Sequence, residues 1–438
     1  MVNNAVRTNG AGSTNRRWVL LILAALTGTL TMAAPVMCLP VLFPEIAKDL
    51  GLSLVQIGVV WGIGSLAGIL TGLAGGAISD RLGAMRTLRM ATLLAGPFGA
   101  LRGLSTNLFT LLVTVFLFAL VTPFVMMSLT KICGLWFSAR GDSGGELGLA
   151  NGVITMGAAL GFMVTSMISA TVLSPWLGGW RHVLFFWGGI ALVISIGWHL
   201  ARIGPDRSAG DRAAVPTGET GVLSLRQTMS YVVRIRNVWL LGLVMLGVGS
   251  CIESALGYLP IYLRGLGWAV PAADGAVSAF HAASMICVLP IALWSDRSAE
   301  SSAGGRKKVL TATALMIITG MGLLSFLDGP LVWGAVILAG MVRDGYMAVF
   351  IATVIETEGV GATYAGTAMG LVAIFAGLRR LISPPLGNSL AAISPGLPFA
   401  FWASLAVGGL VAIQLVKEGS GRSVTAAEGS PALGKVAD

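Results

Sequence analysis

The sequence predicts an all-α membrane protein, twelve transmembrane helices arranged as two pseudo-symmetric six-helix bundles. Three observations predict it. Of 438 residues, 55% are apolar and only 11% charged, against roughly a quarter charged in ordinary soluble domains. Apolar stretches of the ~20 residues that cross a hydrocarbon core as a helix recur twelve times. Short sequence matches repeat at offsets near half the chain length.

The first stretch, 18–42, follows Arg16-Arg17 and is longer than a signal-peptide core, so it reads as a retained span. The second, 55–78, carries Gly64, Gly68, Gly72 and Gly76 at every fourth residue, a smooth face suited to close helix packing. Its "GIGSLAG" follows no strand and is not a nucleotide loop. The third, 87–104, is the weakest, because Pro97 and Arg102 interrupt it. The fourth, 108–134, holds Lys131 near its inner end, the fifth, 148–173, is glycine-rich, and the sixth, 181–202, carries Phe185-Phe186-Trp187. Residues 203–236, rich in Arg, Gly, Asp and Pro, read as a linker. The remaining spans are 237–263 with Glu253, 272–295 with His281, 308–327, 331–355 with Arg343-Asp344, 362–390 with Arg379-Arg380, and 397–416. The expected units are therefore an N-terminal segment 1–17, a bundle 18–202, the linker 203–236, a second bundle 237–416 and a small, polar, disordered tail 417–438.

Lys and Arg set the orientation. Of 28, 20 fall on the side of the two termini, four on the other (Lys48, Arg102, Arg181, Arg264) and four within spans. Cytoplasmic loops concentrate these residues, which places both termini in the cytoplasm of a cell (inner) membrane. The same bias accounts for the net charge of +9; with no basic helix face interleaved with aromatics, no nucleic-acid partner is expected. Cys38, Cys133, Cys251 and Cys287 lie in apolar runs and read as buried thiols. No metal or other cofactor is expected. No positioned Ser/His/Asp set suggests an enzyme, and no GxxxxGK[ST] suggests an ATP-driven pump.

Four matches share nearly one offset. Ser79-Asp80-Arg81 recurs as Ser295-Asp296-Arg297 (216), "GLANG" at 148–152 as "GTAMG" at 366–370 (218), "FFW" at 185–187 as "FAFW" at 399–402 (215), and Leu39-Pro40 as Leu259-Pro260 (220). Duplication of a six-helix unit explains them together, and transporters built from such repeats bind solute at the repeat interface near the midplane.

The loop after the second span reads Gly76, Asp80, Arg81, Gly83, then Arg86 and Arg89, with Ala84 and Met85 where basic residues are usual. It resembles the Gly-x-x-x-Asp-Arg-x-Gly signature of the major facilitator superfamily, over residues 18–416. That resemblance implies secondary active transport by alternating access, with helices 1, 4, 7 and 10 lining a central cavity and 2, 5, 8 and 11 flanking it. It also implies a cytoplasmic gate at Gly76, Asp80, Arg81, Gly83 and Arg86, with a second copy at Asp296 and Arg297; a simple tight turn at Gly83 is the plainer alternative. Residues 123–161 more loosely resemble the nitrate/nitrite-porter and cyanate-permease-like branch. Nitrate itself is disfavoured, since the second and eighth spans lack a mid-membrane arginine.

Charges within spans are costly and mark function. Lys131, Arg343, Arg379 and Arg380 are the candidate substrate contacts, and Glu253, Asp344 and His281 the candidate proton carriers. Four cations face two carboxylates, so a small anionic solute (carboxylate, nitrate/nitrite or cyanate-like) moving by proton symport is expected. Purely structural pairs such as Glu253–Arg379 or Asp344–Arg380 are the alternative for the charges. Proton-coupled export of amphipathic organic compounds is the alternative for the transporter. A non-transporting sensor would need an appended soluble domain. The carrier is expected to work as a monomer in the lipid bilayer.

Overall fold

The computed structural model describes residues 17–137, 145–201, 225–302 and 304–417. Twelve long helices make up these residues: α1 (Arg17–Leu50), α2 (Leu54–Leu82), α3 (Ala84–Leu101), α4 (Leu108–Phe137), α5 (Gly145–Ile168, continued by Ser169–Leu173 and Ser174–Leu177), α6 (Trp180–Leu200), α7 (Arg236–Gly265), α8 (Val270–Ser301), α9 (Gly305–Leu323), α10 (Leu331–Ile355), α11 (Gly361–Leu390) and α12 (Leu397–Leu415). Ten are long and apolar enough to cross a membrane on composition alone. The other two, α3 and α9, open with basic residues (Arg86 and Arg89; Arg306, Lys307 and Lys308) that dilute their apolar windows.

The duplication is visible in the packing. α1 meets α5 and α6, α2 meets α4, and α3 meets α4 and α6; shifted by six, α7 meets α11 and α12, α8 meets α10, and α9 meets α10 and α12. Contacts between the bundles follow the same symmetry, α2 against α11 and α5 against α8, with α1 against α7 on the axis. A short helix, Leu225–Val232, falls inside the segment read as linker and packs Tyr231 on Tyr364 at the start of α11, ring centroids 4.6 Å apart.

Helices run past the apolar windows where a cap allows. α1 continues eight residues beyond Leu42 despite Pro44, because Gly51 at φ +64° closes it in the left-handed conformation. Proline also explains the wide turn in α1. Pro35 has no N–H, and the preceding Thr27–Ala33 segment is a π-helix in which Ala34 N–H bonds Thr29 O. Thr29 Oγ1 then donates 2.7 Å to Gly157 O on α5. A Cβ on Gly157 or Gly161 would sit 2.8 Å from α1 carbonyls, so these glycines permit the crossing.

Of the four-residue glycine series on α2, a Cβ at Gly64 would lie 3.3 Å from Ala119 of α4, Gly68 meets open space, and the side-chain surroundings of Gly72 and Gly76 lie outside the described residues. The close crossing uses Gly58 and Gly62 against the backbone of α11 at Pro384–Pro385 and Arg380. Arg102, expected on the outer side, follows α3 at the end opposite the chain termini and is fully buried. Its guanidinium lies 4.4 Å from the Phe118 ring centroid and donates to Pro35 O at 2.7 Å and Gly99 O at 3.0 Å. Bonding to backbone carbonyls lets a buried cation close a bundle. Arg102→Ala is expected to cost about 3 kcal/mol, read as a lower melting temperature of the purified protein.

The sulfurs behave as read. Cys38, Cys133 and Cys251 are buried, Cys287 is partly buried, and all four are free thiols.

Candidate functional site

Gly249, Glu253 and Gly257 stand four residues apart, on one face of α7. The glycines leave notches on either side of the carboxylate. A Cβ at Gly249 would lie 2.8 Å from the Arg379 guanidinium, and one at Gly257 2.6 Å from the Trp61 indole. Arg379, 8% exposed, fills the first notch and donates to Gly249 O. Trp61, reaching from α2 in the other bundle, fills the second and donates to Glu253 O at 2.8 Å.

Arg380 grips Glu253 Oε2 with two donors, Nη2 at 2.6 Å and Nε at 3.1 Å. Arg343 approaches Oε1 at 3.9 Å and bonds its neighbour Asp344 at 2.9 Å. Three guanidinium groups therefore surround two carboxylates, one positive charge in excess. The pairing differs from both expected pairs: Glu253 takes Arg380, and Asp344 takes Arg343 through flexible side chains that overcome their ~100° separation on the helix. Exposure is uneven. The Glu253 side chain is 14% exposed and that of Arg380 42%, so the more accessible member of the pair is the cation.

His281 shares this layer. It lies 11 residues into α8, and Glu253 and Arg343 lie 12 from the matching ends of α7 and α10, about 17 Å of helix in each case. Its buried ring packs 5.4 Å from Phe162 of α5, and Phe162 in turn lies 5.7 Å from the Arg343 guanidinium. Lys131 is half-buried in α4 and lies about 16 Å nearer the helix ends at the chain termini, out of the layer of the other charges.

Sequence reading did not single out Phe162, nor Asp274. Asp274 is buried on α8, held by Arg264 at 2.6 Å and by Thr171 of α5 at 2.8 Å. Ser278 Oγ adds a bond to Met163 O. With Asn388 donating to Leu54 O at 2.8 Å, these contacts join the bundles at the end opposite the chain termini, here the distal end. Thr171→Val removes one bond made only when that end is shut. A net hydrogen bond is worth about 1 kcal/mol, so the ratio of distal-closed to distal-open molecules is expected to fall about fivefold. Fluorescence energy transfer between labels on α5 and α8 reads that ratio.

The expected gate lies at the other end. Gly83 alone links α2 to α3, at φ +80°, with Arg86 exposed beside it. The side chains of Gly76, Asp80 and Arg81 lie outside the described residues. In the second copy Arg297 is exposed, while Asp296 bonds Arg306 at 2.9 Å, which also holds Glu356 at 2.7 Å. These Asp296 contacts are internal to the second half, and Glu356 escaped sequence reading.

A multi-pass carrier architecture with charges at the bundle interface is what this geometry defines. The chain belongs to the Major Facilitator Superfamily, whose sequence pattern matches residues 20–384. It is 31% identical over 170 residues to the probable galactarate/D-glucarate transporter GudP of Escherichia coli (strain K12), covering 35% of this chain and 34% of that protein. It is 26% identical over 232 residues to the probable L-galactonate transporter of the same organism, covering 50% and 48%. The chain thus matches about a third and about half of these relatives' lengths. Among solved structures, the nucleoside transporter NupG superposes with a TM-score of 0.72 at 14% identity, covering 92% of this chain and 99% of that one. A bacterial homolog to the human lysosomal transporter Spinster, in an inward-facing and unoccupied conformation, gives 0.71 at 15%, covering 92% and 95%. These two likenesses speak to the fold alone.

Proposed function

We propose that the protein is a proton-coupled importer of hydroxylated carboxylates, the acids of sugars, in a cell membrane with both termini cytoplasmic. One observation carries the reading: the excess guanidinium charge sits at the interface layer, and its exposed member, Arg380, is already occupied by a carboxylate. Arg380 offers two donors in a planar fork, a match for a solute carboxylate. Glu253 occupies that fork in the empty carrier. A solute carboxylate that takes Arg380 leaves Glu253 facing it in a low-dielectric site, where two carboxylates repel and one is driven to take a proton. With a monocarboxylate such as galactonate, one acid and one proton then cross together, and the net charge of the loaded site matches that of the empty one. The sugar-acid carriers among the relatives support the solute class, and the 20-to-4 distribution of Lys and Arg supports the orientation.

Uptake of radiolabelled L-galactonate and galactarate into proteoliposomes tests this. Accumulation is expected under an inward proton gradient, collapsing when a protonophore dissipates it. Accumulation of lipophilic cations in place of either acid would contradict it.

A further inference from the structure

A ring nitrogen of His281 stands, with Arg379 Nε and Tyr346 Oη, among the buried polar atoms in and beside the arginine cluster that have no hydrogen-bond partner. His281 is 2% exposed, and its Nε2 makes no hydrogen bond. Such an orphan is uncommon in a folded interior and calls for a reason. Its neighbours define where it points. Ser278, one turn before it, reaches Met163 of α5, and Ser284, one turn after, accepts the backbone N–H of Asp344 on α10. The imidazole is therefore wedged between the other bundle and the arginine-bearing helix. Phe162 covers one face at 5.4 Å and Phe280 stands edge-on at 5.5 Å.

We propose that His281 is a specificity residue: its Nε2 hydrogen-bonds a hydroxyl of the solute, and Phe162 is the cover that leaves it when the bundles rock apart. The proposal rests on the acid-transport reading and adds which part of the acid is recognised. Arg380 takes the carboxylate, which every acid has; His281 takes a hydroxyl, which only some have. Phe162 belongs to α5 and His281 to α8, so the movement that exposes the pocket must separate their rings. A neutral ring nitrogen can donate or accept, and a hydroxyl satisfies either tautomer. A site built around a buried polar atom discriminates strongly against analogues that leave it unpaired. This assignment replaces the expected proton-carrying role of His281, because no hydrogen bond joins it to Glu253 or Asp344 and aromatic rings enclose it.

The test compares two six-carbon diacids, galactarate with four hydroxyls and adipate with none, as competing substrates in proteoliposomes of the full-length protein. The wild type is expected to prefer galactarate. In His281→Leu the preference should fall at least tenfold through a higher KM for galactarate, with adipate unchanged. His281→Gln, which keeps a polar group at that depth, should retain part of the preference and guards against a folding defect in the leucine variant. Arg380→Gln is the separate control on acid recognition and removes uptake of both diacids regardless of His281. An undiminished galactarate preference in His281→Leu, or a wild type that does not distinguish the diacids, overturns the proposal.

Discussion

Arg380→Gln is expected to lower kcat/KM for sugar acids at least 100-fold in proteoliposomes, while the protein still inserts and remains monodisperse. A hundredfold loss is about 2.7 kcal/mol of transition-state binding. Two effects combine to produce it. The solute carboxylate loses its two-donor partner, and glutamine restores neither the charge nor the fork. Glu253 loses both short contacts and keeps Arg343 at 3.9 Å and the nearby charge of Arg379. Removing one partner of a buried pair costs about 3–5 kcal/mol; with the Arg380 side chain 42% exposed, the lower end of that range applies. Glu253→Gln separates the two effects. It leaves Arg380 free for solute, so binding and exchange should persist while gradient-driven accumulation disappears. The two variants therefore differ in kind.

Gly58→Val is expected to depopulate the distal-closed conformer at least tenfold and to slow turnover by a similar factor. A Cβ at Gly58 would lie 2.7 Å from the Cα and N of Pro385, and at Gly62 the obstacle is the Arg380 carbonyl. Backbone of a packed helix cannot step aside as a side-chain tip can. Valine would force α2 away from α11, and the Asn388 bond to Leu54 O would go with it. Alternating access requires both ends to close in turn, so a carrier that cannot shut its distal end loses flux even with its binding site intact. Spin labels at Val55→Cys and Ile393→Cys, on exposed positions of α2 and the loop after α11, report the distance. A broadened, longer distribution in Gly58→Val is expected; unchanged distances and turnover would argue against this role for the crossing.

The fold was largely legible because its causes are local. Bilayer thickness fixes helix length, Lys and Arg mark one side, and duplication leaves matches at one offset. The tight helix crossings were not, because a glycine every fourth residue marks a smooth face without saying what approaches it: Gly58 and Gly62 meet α11, whereas Gly68 meets nothing. The site was half legible. Arg343, Arg379, Arg380, Glu253 and Asp344 announced themselves as intramembrane charges, but which guanidinium met which carboxylate depended on rotation of α7 against α11. A signal for it exists in retrospect, the Gly249-x-x-x-Glu253-x-x-x-Gly257 spacing, which cuts notches on the face that carries the charge. Phe162 left no such trace: a phenylalanine in an apolar run looks like any other until the bundles come together. The burial of Arg102 was not legible for a related reason, since a cation bonded to backbone carbonyls needs no acidic partner in the sequence.

Proton uptake on solute binding tests the central claim most directly. Titrating purified carrier with L-galactonate by calorimetry in buffers of different ionisation enthalpy counts the protons exchanged per acid bound. Close to one proton taken up by the wild type and none by Glu253→Gln is the predicted result. An equal count in both, or no proton taken up by the wild type, would mean that Glu253 does not exchange places with the solute on Arg380.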